Sequence, residues 1–150
     1  MAVKPIPDGY HNVTPYLVVP GVAGLIDFLK EAFGAVEEGE RNVRPDGTVM
    51  HAALRIGDSP VMMGEPAGPF EAMPAVLHLY VADTDSTYKR ALQAGAISLR
   101  EPADQFYGDR NAGVKDMCGN IWWISTHKED VPPEEMARRA EAMVKRQTSK

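Results

Sequence analysis

The sequence predicts an α+β fold in which two βαβββ modules lie in tandem and a helix closes the chain. One observation is a near-repeat. His11 to Ala35 reads HNVTPYLVVPGVAGLIDFLKEAFGA, and Ala75 to Ala96 reads AVLHLYVADTDSTYKRALQAGA. Each segment has an apolar strand-like run, a short break and an amphipathic helix that ends in Gly-Ala. A second observation is that strand-and-turn signals follow each helix, so strands outnumber helices and the sheets should be largely antiparallel. The third is size: 150 residues and 16.4 kDa suit one domain made of two small units. A unit of about sixty residues buries only a marginal core by itself, so the two should associate.

The first module spans about 11–65. Its helix, near Val22 to Phe33, places Ile26 or Leu25, with Phe28, Leu29, Ala32 and Phe33, at helical spacing. Gly34 ends it, because a residue without a Cβ takes the left-handed conformation at no steric cost. AVEEGERNVR, TVMHAALRI and PVMMGE read as strands, with a Gly57-Asp58 turn between the last two. Residues 66–74 are rich in Pro and Gly and read as a linker.

The second module spans about 75–127. Its helix starts near Asp83 to Ser86, where short oxygen-bearing side chains cap free amides, and stops at Gly95. AISLRE, DQFYG, RNAGVKD and IWWIST supply the later strand-and-turn signals. A third helix is predicted over about 132–147, acidic at Glu134 and Glu135 and basic at Lys145 and Arg146, as the helix dipole favours. Met136, Ala140, Met143 and Val144 form a narrow stripe that should dock on the body or on a second subunit.

Composition narrows the function. The chain is 44% hydrophobic and 25% charged, within the globular range. No apolar run reaches the roughly 18–20 residues that span a bilayer, so no membrane partner is expected. MAVKPIPDGYHN has no apolar segment of the signal-peptide kind, and a cytoplasmic protein is the expectation. The single Cys118 makes neither a disulfide framework nor a zinc site. Net charge is −5, which disfavours nucleic acid as partner. Up to His127 there are ten basic and sixteen acidic residues, a balance of −6; that acidity suits a cationic ligand and is also ordinary solubility chemistry.

The repeat, with VADTDSTYKRALQAGA, FYGDR and DMCGNIWWIST, resembles the vicinal oxygen chelate superfamily, which includes glyoxalase I, bleomycin-resistance proteins and extradiol dioxygenases. KPIPDGYHNVTPYLVV, HAALRIGDSPVMM and WWISTHKEDVPPEEM are similar to its PhnB-like subgroup. The resemblance covers about residues 11–127 and implies sheets curved around a cavity, commonly in a homodimer. It also implies four metal-ligand positions on the first and last strands of each module. Here those positions hold Thr14, Met62 (Met63 if the register slips by one), Val76 and Trp123. These side chains do not bind zinc, nickel or iron as imidazoles and carboxylates do. No catalytic residue, metal or cofactor is therefore expected.

Strand alternation sets Tyr16 and Val18 on the face of Thr14, and His78 and Tyr80 on that of Val76. Ile121, Trp123 and Ser125 share a face, with Trp122 opposed. The expected ligand-binding set is Thr14, Tyr16, Met62, His78, Tyr80, Tyr107, Arg110 and Trp123, an aromatic surface with a few polar handles. Arg110 either offers its fork to a ligand carboxylate or phosphate, or pairs with an aspartate such as Asp116 across the hairpin. Cys118, with no helix terminus or basic pair nearby, is read as non-catalytic. The leading expectation is a metal-free small-molecule-binding protein. Its alternative is a glyoxalase- or dioxygenase-type enzyme with displaced ligands, drawing on His51, Glu65 and His78.

Overall fold

A computed structural model describes residues 2–148. The elements run β1 (Tyr16–Val18), α1 (Val22–Phe33), β2 (Val36–Val43), β3 (Val49–Ile56) and β4 (Ser59–Gly64), then β5 (Val76–Tyr80), α2 (Thr84–Gln93), β6 (Ile97–Asp104), β7 (Asp109–Lys115), β8 (Ile121–His127) and α3 (Pro133–Thr148). Two four-stranded sheets result, in the orders β1-β4-β3-β2 and β5-β8-β7-β6. In each, the first strand lies parallel to the last and the other pairings are antiparallel. The tandem βαβββ reading and the C-terminal helix therefore hold. DQFYG adds no strand of its own: β6 runs through to Asp104, and Gln105 to Gly108 form the turn into β7.

One core joins the modules on their helix sides. Leu25, Ile26, Phe28 and Leu29 of α1 share it with Ala91 of α2 and with Trp122 and Ile124 of β8. The Phe33 ring lies 5.0 Å from that of Trp122, and Arg90 of α2 donates to the carbonyl of Ala32. Period-two alternation then turns the opposite face of each sheet away from the core. Tyr16, Val76, Tyr80 and Ile97 are exposed there, between 48% and 66%. β1 and β5 each end their sheet with a free edge and do not pair with one another.

Helix α1 is capped in a way its own sequence does not announce. Gly21, left-handed at φ 84°, offers no side chain. The Glu65 carboxylate, at the end of β4, accepts instead from the amides of Gly21 (2.9 Å) and Val22 (3.1 Å). A carboxylate there also meets the positive end of the helix dipole. Helix α2 is capped as predicted, with Asp83 accepting from the Ser86 amide. The β7–β8 turn is built around buried Asp116. It accepts from the amides of Cys118 and Asn120, from Asn120 Nδ2 and from the Trp122 indole. Asp116 is thus committed to its own turn, and Arg110 pairs with Asp85 and Asp104 rather than with it.

Helix α3 contributes no buried residue. Arg139 ties it to the body through the Phe106 carbonyl and Glu129, and Met143 lies in a shallow groove beside Phe106. Val144 remains 57% exposed, so the expected apolar stripe is only partly covered by the chain's own body.

Candidate functional site

The open faces carry the chemistry, and strand register arranges them. In the first module Tyr16 stands beside Met62, and Met62 is across from Ala53. Met63 points the other way and is fully buried, which fixes Met62 as the open-face residue. The Tyr16 hydroxyl lies 3.1 Å from His51 Nδ1. Gly64 makes room for it, since a Cβ there would come within 2.9 Å of the same hydroxyl. The linker folds over this face in a tight Ala67–Phe70 turn, and Met73 bonds to Val18 at the free edge of β1. Together Tyr16, Val18, Met50 and Phe70, with Arg44 and Glu65 at the margin, wall a hollow of about 720 Å³.

In the second module His78 stands beside Trp123, and Trp123 lies across from Gly113. The Arg100 guanidinium sits over the indole at 5.1 Å, within cation–π range. The His78 and Tyr80 rings are 5.0 Å apart. Behind them runs a polar network. Tyr80 donates to Asp109 Oδ2 at 2.8 Å, and His127 Nδ1 meets Asp109 Oδ1 at 2.7 Å. His127 Nε2 meets Asp130 at 2.7 Å. Asn111 Nδ2 donates to the Tyr107 hydroxyl, and buried Asn111 Oδ1 and Ser125 Oγ have no protein partner. These two residues are register neighbours, so two free hydrogen-bonding positions lie side by side beneath Tyr80.

The charge states follow from these contacts. The carboxylates of Asp109 and Asp130 hold the His127 imidazole above its ordinary range. Burial works against ionised Asp109, but hydrogen bonds from His127 and Tyr80 outweigh it and hold the carboxyl below the usual value. The hydrogen bond to Asp109, helped by burial, raises the Tyr80 phenol, so Tyr80 stays neutral and its one proton is committed. Burial, with the charges of Asp116 and Glu65, pushes the Cys118 thiol up to about 11. Cys118 sits against the Pro20 carbonyl at 3.2 Å and is no nucleophile at neutral pH.

The eight residues singled out from sequence therefore do not meet at one point of one chain. Tyr16 and Met62 belong to the first open face, and His78, Tyr80 and Trp123 to the second. Thr14 precedes β1, half-buried, two residues short of the Tyr16–Met62 pair. Tyr107 borders the second face through Asn111, whereas Arg110 is held by Asp85 of α2 at 2.8 Å. Strand β5, His78 and Tyr80 included, also lines a crevice of about 740 Å³ that reaches the β3–β4 turn. His51, Glu65 and His78 do not form a metal site: His51 faces Tyr16 and Glu65 caps α1. Among the described residues no three His, Cys, Asp or Glu side chains gather to hold an ion. The donors present do not fit a divalent metal within one chain, and no reaction step is drawn through one.

Asp109, His127, Arg100 and Gly113 were not singled out from sequence. Continuing the alternation of IWWIST by one step reaches His127, and alternation in RNAGVKD reaches Asn111 and Gly113. Arg100 follows an irregularity between Ser98 and Arg100, which breaks the count.

Paired βαβββ modules with open, aromatic sheet faces define a fold used by both enzymes and binding proteins. This chain belongs to the Glyoxalase/Bleomycin resistance protein/Dioxygenase superfamily, whose family model matches residues 10–124. It is 38% identical over 135 residues to uncharacterized proteins of Mycobacterium bovis and Mycobacterium tuberculosis, covering 83% of this chain and 88% and 79% of theirs. Among solved structures it is similar to TioX from Micromonospora sp. ML1, with TM-score 0.62 and 26% identity over 77% of this chain and 95% of that one. A glyoxalase/bleomycin resistance protein/dioxygenase from Nocardioides shares the fold, with TM-score 0.61 at 15% identity over 89% and 90% of the two chains. No helix among the described residues is long and apolar enough to cross a membrane.

Proposed function

We propose that this is a metal-free small-molecule-binding member of the superfamily, of the PhnB-like kind. It acts as a cytoplasmic homodimer in which the first module of one copy and the second module of another enclose the ligand. The observation that carries this is the pair of open faces. Each presents aromatic rings, Tyr16 on one and Tyr80 and Trp123 on the other, with Tyr16 and Tyr80 about half exposed or more. The linker turn and the Met73–Val18 bridge cover part of the first face and the edge of β1, whereas the second face and the edge of β5 stay open. Apolar faces and free sheet edges are normally covered. Two walls brought together around a hollow such as that beside Tyr16 give a site of the size and aromatic character that holds a flat organic molecule. The occupants of the four metal-ligand positions, Thr14, Met62, Val76 and Trp123, support binding over metal-assisted chemistry.

The test is a titration with a planar aromatic probe such as 2-naphthylacetamide, followed by tryptophan fluorescence and calorimetry. Saturable binding that Trp123→Ala abolishes is the expected result. Stoichiometric metal in protein purified without chelators would instead favour the enzyme reading.

A further inference from the structure

The acidity of the chain does not extend to the open faces. Most arginines of the described residues are neutralised locally: Arg41 by Glu37, Arg55 by Glu38, Arg110 by Asp85 and Asp104, and Arg138 and Arg139 by Glu135. Arg90 is spent on the Ala32 carbonyl and the Thr87 hydroxyl, and Arg44, beside the hollow at Tyr16, donates to the Thr48 hydroxyl and helps to lower the Asp46 carboxyl. Arg100 lies over Trp123, and no ion pair among the described residues takes its charge. Lys115 adds a further cation to the second face, two residues along β7 from Gly113.

Three acidic groups of these faces are already engaged. Glu65 is turned onto the amides of α1, and Glu38 is paired with Arg55. Asp109 accepts from Tyr80 and is held by His127. The second face thus offers an indole with an uncommitted guanidinium over it, in a molecule that carries net charge −5.

We propose that the ligand is a flat organic anion, an aromatic or conjugated ring bearing a carboxylate. Its ring lies against the Trp123–Arg100 pair and against Tyr16, and its charge is taken by Arg100. Guanidinium groups meet a carboxylate with two parallel donors, and charge-assisted bonds of this type are about twice as strong as neutral ones. This inference rests on the shared-cavity reading and adds the charge class, in place of the cation that net charge alone suggests.

Three probes with one ring system separate the cases: 2-naphthylacetate, 2-naphthylacetamide and 2-naphthylmethylammonium, each titrated calorimetrically into the full chain. The carboxylate should bind about tenfold tighter than the amide, and the ammonium weakest, as one charge-assisted contact predicts. Arg100→Gln should remove most of that preference, and an unchanged urea midpoint shows that the variant folds. Equal binding of the three, or preference for the ammonium, overturns the charge assignment and leaves the cavity reading standing. Failure of all three to bind overturns both.

Discussion

The Trp123 indole packs against Gly113 of the neighbouring strand. A Cβ built at that glycine would come within 2.3 Å of the indole ring. The pairing sets the floor of the second open face, because it lowers a large ring onto the sheet and leaves its outer surface to Arg100.

Gly113→Ala should therefore cost about 1–3 kcal/mol of stability, the usual range for overpacking. It should also abolish aromatic-probe binding through the displaced ring. Urea titration and tryptophan emission check this together; unchanged emission with unchanged stability would show that the ring has room to spare.

Asp116 accepts four hydrogen bonds from its own turn, one of them from the buried Trp122 indole at 2.8 Å. Asp116→Ala leaves these donors without an acceptor inside the protein. The expected loss is about 2–4 kcal/mol in chemical denaturation, since each buried unsatisfied group costs about 1–3 kcal/mol and the turn relaxes in part.

His127 gives the fold a pH dependence with a definite sign. Its folded value lies above the ordinary 6.5, so its contribution is fully present below that value and is lost as pH rises through the raised one. Asp109 works in the opposite direction: its lowered value stabilises the fold above the ordinary 3.8 and is lost as pH falls through the lowered one. Urea midpoints of the native chain should decline above neutrality more steeply than those of His127→Gln. Parallel profiles would remove His127 from the account.

No residue of helix α3 is fully buried, so removing residues 132–150 should lower the melting temperature by only a few degrees, about what loss of a few half-buried contacts costs. Sedimentation should still report twice the 16.4 kDa monomer, less the deleted segments, if the sheet faces make the dimer. A monomeric product would transfer the interface to α3.

Much of the fold is legible because its signals are local. Gly34 and Asp83 punctuate helices at the expected places, and alternation separates Trp122 from Trp123. The site is less legible because its contacts are distant in sequence. Glu65 looks like a spare donor until β4 delivers it to the amides of α1, 44 residues earlier. Arg110 looks like a ligand fork until α2 presents Asp85. Arg100 carries no motif; only the pairing of β6 with Gly113 and of Gly113 with Trp123 brings it over the indole. Net charge, a property of the whole chain, gives no hint of where uncommitted cations lie.

The central claim is that each cavity takes one wall from each of two copies. Subunit mixing tests it most directly. Tyr16→Ala and Trp123→Ala are purified separately, each expected to bind the aromatic probe poorly, and are then unfolded and refolded together. In a shared cavity, half of the mixed dimers' sites combine two native walls, so about a quarter of all sites should regain native affinity after random pairing. If each chain builds its cavity alone, every site keeps one damaged wall and mixing restores none; that result would contradict the account.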